Sequence, residues 1–194
     1  MNNSSNINID DYIRQFKNAE TTFSPRQVEL KKNAFASFQK LGFPTTRNEE
    51  WKYTNVASFV KNSFHIAGNE QPLKLNDIKH FLPEEGDVIL LVFHNGKFNS
   101  TFSHLSSLPK GIIAGNLSDF SDHAEVQKHI GKIALHNNES FVALNTALFQ
   151  HGAFVFADKN VSSEKPIYLL FVNDARHAAT VTYPRNLVVT SEGS

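Results

Sequence analysis

The apolar positions of this chain change period along its length. After a polar start at residues 1–8, Ile9, Ile13 and Phe16 share one side of a helix predicted over 10–23, with acids at its beginning. Val28, Phe35, Phe38 and Leu41 then repeat at helical spacing and predict a second helix over 25–41. Its ends are marked. Ser24-Pro25-Arg26-Gln27 offers a capping hydroxyl, a proline at the first helical position and a glutamine three residues after the cap. Gly42-Phe43-Pro44 stops the helix, because glycine accepts a left-handed conformation and proline cannot continue. A short capped helix is expected at 48–53, with Glu49 and Glu50 in its first turn. Another should open at Asn76-Asp77 and close at Pro83, with a strand at 63–66 between the two.

From Gly86 the period shortens to that of strands. Residues 87–94 form a continuous β-rich run, followed by Asn95-Gly96 and then 97–103. Asn-Gly between two such runs is the strongest short-range hairpin signal. A strand is expected at 111–114, a helix within 118–135 broken near Gly131, and a helix at 141–149, where Phe141, Leu144 and Leu148 fall at i, i+3 and i+7. Beyond Gly152 the chain reads as strands at 153–157, 167–172 and 186–190, with Pro166 and Pro184 placed just before strands. The fold class is α+β. In chain order it divides into a mainly helical region (1–85), a mixed segment with the hairpin (86–150) and a β segment (151–194).

Composition narrows the function. Seventeen phenylalanines stand against four tyrosines and one tryptophan, so most rings lack polar handles and are expected in the core. There is no cysteine, which excludes disulfides, thiolate metal sites and a cysteine nucleophile. Nineteen basic residues balance nineteen acidic ones, which argues against a general nucleic-acid binder. The longest apolar runs, 88–93 and 167–172, fall far short of the roughly 20 residues that cross a bilayer. Residues 1–6 carry neither the basic nor the apolar stretch of a signal peptide, so a cytoplasmic protein is expected.

The nine histidines show no H-x-x-x-H, H-E-x-x-H or H-x-H spacing. His123 and His129 lie on different faces of a helix, His94 flanks the hairpin, and His151 follows a helix and precedes a glycine; no metal site is expected. Neither a G-x-S-x-G elbow nor a glycine-rich phosphate loop occurs, so no catalytic or cofactor-binding residue is assigned. Glu49-Glu50 and Glu84-Glu85 are paired only in sequence, since adjacent helical positions do not face each other. The densest cluster is Arg47, Asn48, Glu49, Glu50, Trp51, Lys52 and Tyr53, closed by Thr54. It is either a docking surface or a helix anchored by its two aromatic rings, with Arg47 and Lys52 paired to nearby acids; the anchor is the commoner case.

That cluster also carries a resemblance. Residues 41–54, Leu-Gly-Phe-Pro-Thr-Thr-Arg-Asn-Glu-Glu-Trp-Lys-Tyr-Thr, closely resemble the N-terminal signature of the SufB/SufD family, and SufD more than SufB. A second block comes after it in the right order: 144–149, then 152–155, 164–167 and 184–189. The resemblance implies a helical region leading into the first rungs of a right-handed parallel β-helix. It also implies a non-enzymatic scaffold subunit of the Suf iron–sulfur cluster assembly machinery, in complex with a SufB-like subunit and a SufC-like ATPase. The iron–sulfur cluster belongs to the assembled complex, and no cluster-binding residue carries over to this stretch. Family members continue through further rungs, so the chain is expected to be the front of a longer protein. Two alternatives stand beside this reading. One is a β-helix hydrolase acting on polysaccharide, for which Asp158, Glu164, Asp174 and Glu192 are the acids of the β segment, all in or near turns. The other is a freestanding adaptor that dimerises through the open edge of its last strand.

Overall fold

The structure, a computed structural model, describes residues 9–18, 24–66, 72–84, 86–174, 176 and 179–194. The N-terminal helical periods become α1 (Ile9–Asn18) and α2 (Pro25–Leu41); residues 19–23 of the predicted first helix lie outside the described residues. Ser24 Oγ accepts from the Gln27 N–H at 3.4 Å and Pro25 fills the first turn. Gly42, at φ +65°, donates to the Phe38 carbonyl at 2.8 Å and ends the helix. The reciprocal half of the capping box is absent among the described residues: Gln27 is buried, and its side-chain oxygen has no hydrogen-bond partner among them. The buried stripe is Gln27, Lys31, Ala34, Phe35 and Phe38. Leu41, expected on that stripe, is exposed.

After α2 come a 3₁₀ turn (Glu49–Trp51), α3 (Ala57–Val60), β1 (His65–Ile66), α4 (Leu75–Ile78) with a 3₁₀ turn (Lys79–Phe81), β2 (Ile89–His94), β3 (Lys97–Phe98) and β4 (Ile112–Asn116). The order continues with a 3₁₀ turn (Leu117–Phe120), α5 (Ala124–His129), α6 (Ser140–Leu148), β5 (Ala153–Ala157), β6 (Ile167–Val172), β7 (Thr180–Val181) and β8 (Leu187–Thr190). Differences from the predicted elements have local causes. The Asp77 carboxylate accepts from the Lys74 N–H at 2.9 Å, so α4 opens earlier than Asn76. The Asn95-Gly96 hairpin forms with both residues at positive φ, +49° and +78°, as a type I′ turn requires. The strand after it stops at Phe98, because Asn99 folds the chain back: its Oδ1 accepts from the Phe102 N–H and its carbonyl from Ser103 Oγ. The helix expected within 118–135 divides, since the chain restarts at His123, whose Nδ1 accepts from the Glu125 N–H at 3.2 Å and caps α5.

Backbone contacts gather these elements into two compact units, each discontinuous in sequence. The first holds the described residues within 1–66 together with 131–148. Its core is aromatic. Phe16 stacks on Phe35 at 4.2 Å, while Tyr12, Phe38 and Phe43 pack edge to face at 5.1–5.8 Å. Helix α6 lies along α2, and Phe141 at its start meets Phe43, Trp51 and Phe59.

The second unit, within 67–130 and 149–194, contains two three-stranded sheets ordered β3-β2-β6 and β4-β5-β8. In each, the middle strand has one antiparallel and one parallel neighbour: β2 runs parallel to β6 from Ile89↔Ile167 to His94↔Val172, and β5 parallel to β8 from Phe154↔Leu187 to Ala157↔Thr190. Both faces of β2 are buried, which is why its sequence is apolar without alternation. Ile89, Leu91 and Phe93 share a core with Ala114, Ala153 and Val155, while Leu90 and Val92 pack against Leu73 and Ile78. No rung repeats among the described residues; the fold is α+β with helices and small mixed sheets.

Candidate functional site

The signature segment is built by a chain of short-range hydrogen bonds. Asn48 Oδ1 accepts from the Thr45 N–H at 2.9 Å and from Thr45 Oγ1 at 3.3 Å, and Thr45 Oγ1 accepts from the Arg47 N–H at 3.3 Å. Asn48 thus turns its side chain back on the preceding loop instead of capping a helix ahead of it. Residues 49–51 form a single 3₁₀ turn, with the Trp51 N–H on the Asn48 carbonyl at 2.9 Å. Of the two rings expected to anchor the segment, Trp51 does so, half-buried with its centroid 5.2 Å from that of Phe141. Tyr53 does not. It is 92% exposed, with Lys52 Nζ 5.5 Å from its centroid. Arg47 and Lys52 are exposed too, and neither makes an ion pair among the described residues.

Glu49 and Glu50 line a cavity of about 220 Å³ with Leu41, Pro44, Asn48 and Trp51, and residues 138–140 at the start of α6 complete it. Lost hydration first, then the nearby Glu50 charge and side chain, raise the Glu139 carboxyl above its ordinary value. Glu139 was not legible as a member of this site, since nothing in the spacing of Glu50 and Glu139 marks them as neighbours. A second groove, about 250 Å³, lies beside the same loop and is walled by Phe43, Thr46, Val56, Val60 and Lys61.

Four of the described histidines make local contacts. His123 caps α5 and lies against Phe154 and Phe156, His129 Nε2 meets Glu125 at 3.1 Å, His136 Nδ1 meets Ser37 Oγ at 3.1 Å, and His151 Nδ1 meets Asn116 at 3.3 Å. No group of three His, Asp or Glu side chains is placed to hold a metal among the described residues. Three of the four acids of the hydrolase alternative have local work. Asp158 accepts the Lys159 N–H, Asp174 binds Arg176, and Glu192 pairs with Lys159 at 2.6 Å. These turn and surface roles give that alternative no support. No described helix is long and apolar enough to cross a membrane.

Residues 3–169 match the family described as the SufBD protein N-terminal region, and the chain belongs to that family. Among curated relatives, it is similar to an iron–sulfur cluster assembly SufBD family protein of Synechocystis sp., at 28% identity over 86% of this chain and 37% of the relative. It is also similar to the chloroplastic SufBD family protein ABCI8 of Arabidopsis thaliana, at 30% identity over 86% of this chain and 32% of the relative. The iron–sulfur cluster assembly protein SufD of Bacillus subtilis shares 25% identity over 95% of this chain and 46% of its own length. The chain therefore spans a third to just under half of the relatives it matches.

Proposed function

We propose that this chain is the N-terminal part of a non-enzymatic, SufD-like scaffold subunit that works in cytoplasmic iron–sulfur cluster assembly. The observation that carries the reading is family membership over residues 3–169, joined to relatives whose names place them in cluster assembly. The partners are a SufB-like subunit and a SufC-like ATPase, and the cluster is the cargo of the complex rather than a resident cofactor of this chain. The parallel pairings of β2 with β6 and of β5 with β8 support a continuation as a right-handed parallel β-helix, in which each new strand adds in parallel to an outer edge. The same outer edge of β8, with Val188 exposed, is the surface for a second copy when the chain is taken by itself.

Co-expression tests the scaffold role. The whole protein carrying this chain, tagged and produced with a SufB-like subunit and a SufC-like ATPase, is expected to purify with both. Isolation as a single chain from that co-expression overturns the reading. For the isolated chain, light scattering is expected to give a dimer that Val188→Lys converts to monomer.

A further inference from the structure

The cavity of about 220 Å³ beside the signature turn is lined by three acids and no cation. Glu49, Glu50 and Glu139 make no ion pair among the described residues. The Glu50 charge helps to raise the Glu139 carboxyl above its ordinary value, as like charges do when no cation stands between them. Lys40, Arg47 and Lys52, the nearest cations in sequence, are not part of the wall. The positive end of α6 amounts to about half a charge and is outweighed by three carboxylates. Ser140 supplies a second, independent observation. It lines the same cavity, is 9% exposed, and its hydroxyl makes no hydrogen bond among the described residues. A nearly buried hydroxyl without a partner costs free energy that a bound polar group recovers. No three acidic or histidine side chains are placed to hold a metal ion among the described residues, so the occupant is a larger, organic cation.

We propose that this cavity binds a guanidinium group on an alkyl stem, its N–H donors shared among Glu50, Glu139 and Ser140 and its plane against the Trp51 ring. The site stands on the cavity alone and goes beyond the scaffold reading. A guanidinium carries five donors in a rigid plane, so one group serves two carboxylates and a hydroxyl together. An ammonium is compact and more strongly hydrated, and it cannot fork in this way. The wall suits the rest of the ligand. Trp51 offers a ring face for the cation, and Leu41 and Pro44 offer apolar surface for the stem. An arginine of a partner protein and a free guanidino compound present the same chemistry.

The protein's single tryptophan lies in the wall, so its emission reports occupancy. The full chain is titrated with a blocked Gly-Arg-Gly peptide and with agmatine, beside the same peptide carrying neutral citrulline. A saturable emission change is expected at millimolar or lower concentration of the two guanidinium probes, with the citrulline peptide weaker by about tenfold or more. Glu50→Gln/Glu139→Gln is expected to weaken binding by about tenfold or more, and Ser140→Ala by about threefold. The control Asp87→Asn/Glu164→Gln removes two exposed acids of the other unit and should leave binding within about twofold. Circular dichroism checks folding, and the exposed Glu50→Gln alone carries the test if the double variant does not fold. Tighter binding of the arginine peptide assigns the site to a protein partner, and tighter binding of agmatine to a free small cation. No saturable change, equal binding of the citrulline peptide, tighter binding of a blocked Gly-Lys-Gly, or equal weakening by the control would each overturn the proposal.

Discussion

The Trp51 ring lies 5.2 Å from Phe141 with the two planes inclined at 44°. This contact fastens the 3₁₀ turn of the signature segment onto the first turn of α6. Because Trp51 is half-buried, Trp51→Ala is expected to cost about 2–4 kcal/mol, and Trp51→Phe about 1 kcal/mol. Urea unfolding followed by circular dichroism measures both. The protein has one tryptophan, so the wild-type emission reports this contact directly.

The Glu50–Glu139 pair beside it gives a pH dependence of defined sign. The folded Glu139 carboxyl holds its proton more tightly than the unfolded one, so the native state binds more protons where the two differ. Stability linked to Glu139 is full below the ordinary glutamate range and is lost as pH rises through the raised value. Glu139→Gln is therefore expected to melt higher than wild type at neutral pH, with the difference shrinking in acid. Thermal melts across a pH series check it, and a wild-type advantage at neutral pH would refute it.

Asp174 behaves in the opposite way. The Arg176 side-chain hydrogen bond first, then the Arg176 backbone N–H, hold its carboxyl well below the ordinary aspartate range, helped by the Arg176 and His94 charges. Stability from this pair is present above the ordinary aspartate value and is lost as pH falls through the lowered one. Arg176→Ala should return the Asp174 titration toward its ordinary range, as read from the carboxyl carbon shift by NMR.

Two glycines separate steric need from conformational need. A Cβ at Gly152 would run into the Arg185 backbone carbonyl, a neighbour that cannot rotate away. Gly152→Ala is expected to cost at least about 3 kcal/mol and to lower soluble yield. Gly86, at φ +90°, has open space around its Cβ direction, so Gly86→Ala should cost only about 1 kcal/mol. Chemical denaturation of the two variants side by side measures the difference.

Ser24, Pro25 and Gly42 make α2 legible from the sequence, as Asn95-Gly96 does the hairpin. Each of these signals acts between residues a few positions apart, so the chain carries it wherever the segment ends up. The same locality explains the misses. Asn48 has the sequence context of a cap for the residues ahead, yet the Thr45 N–H and hydroxyl claim its side chain instead. His123 carries no sequence mark of a cap, yet its ring nitrogen caps α5.

By itself, then, the sequence determined α2, the hairpin and the strands β2, β5 and β6, that many of the phenylalanines build cores, and the family through its 41–54 signature. Tertiary structure alone decided which strands pair, since β2 meets β6 across a long stretch of intervening chain. It also seated α6 against α2 and brought Glu139 to Glu50. Such partners are chosen by buried apolar area and by the entropy of closing long loops, and neither leaves a mark at the spacing of a few residues.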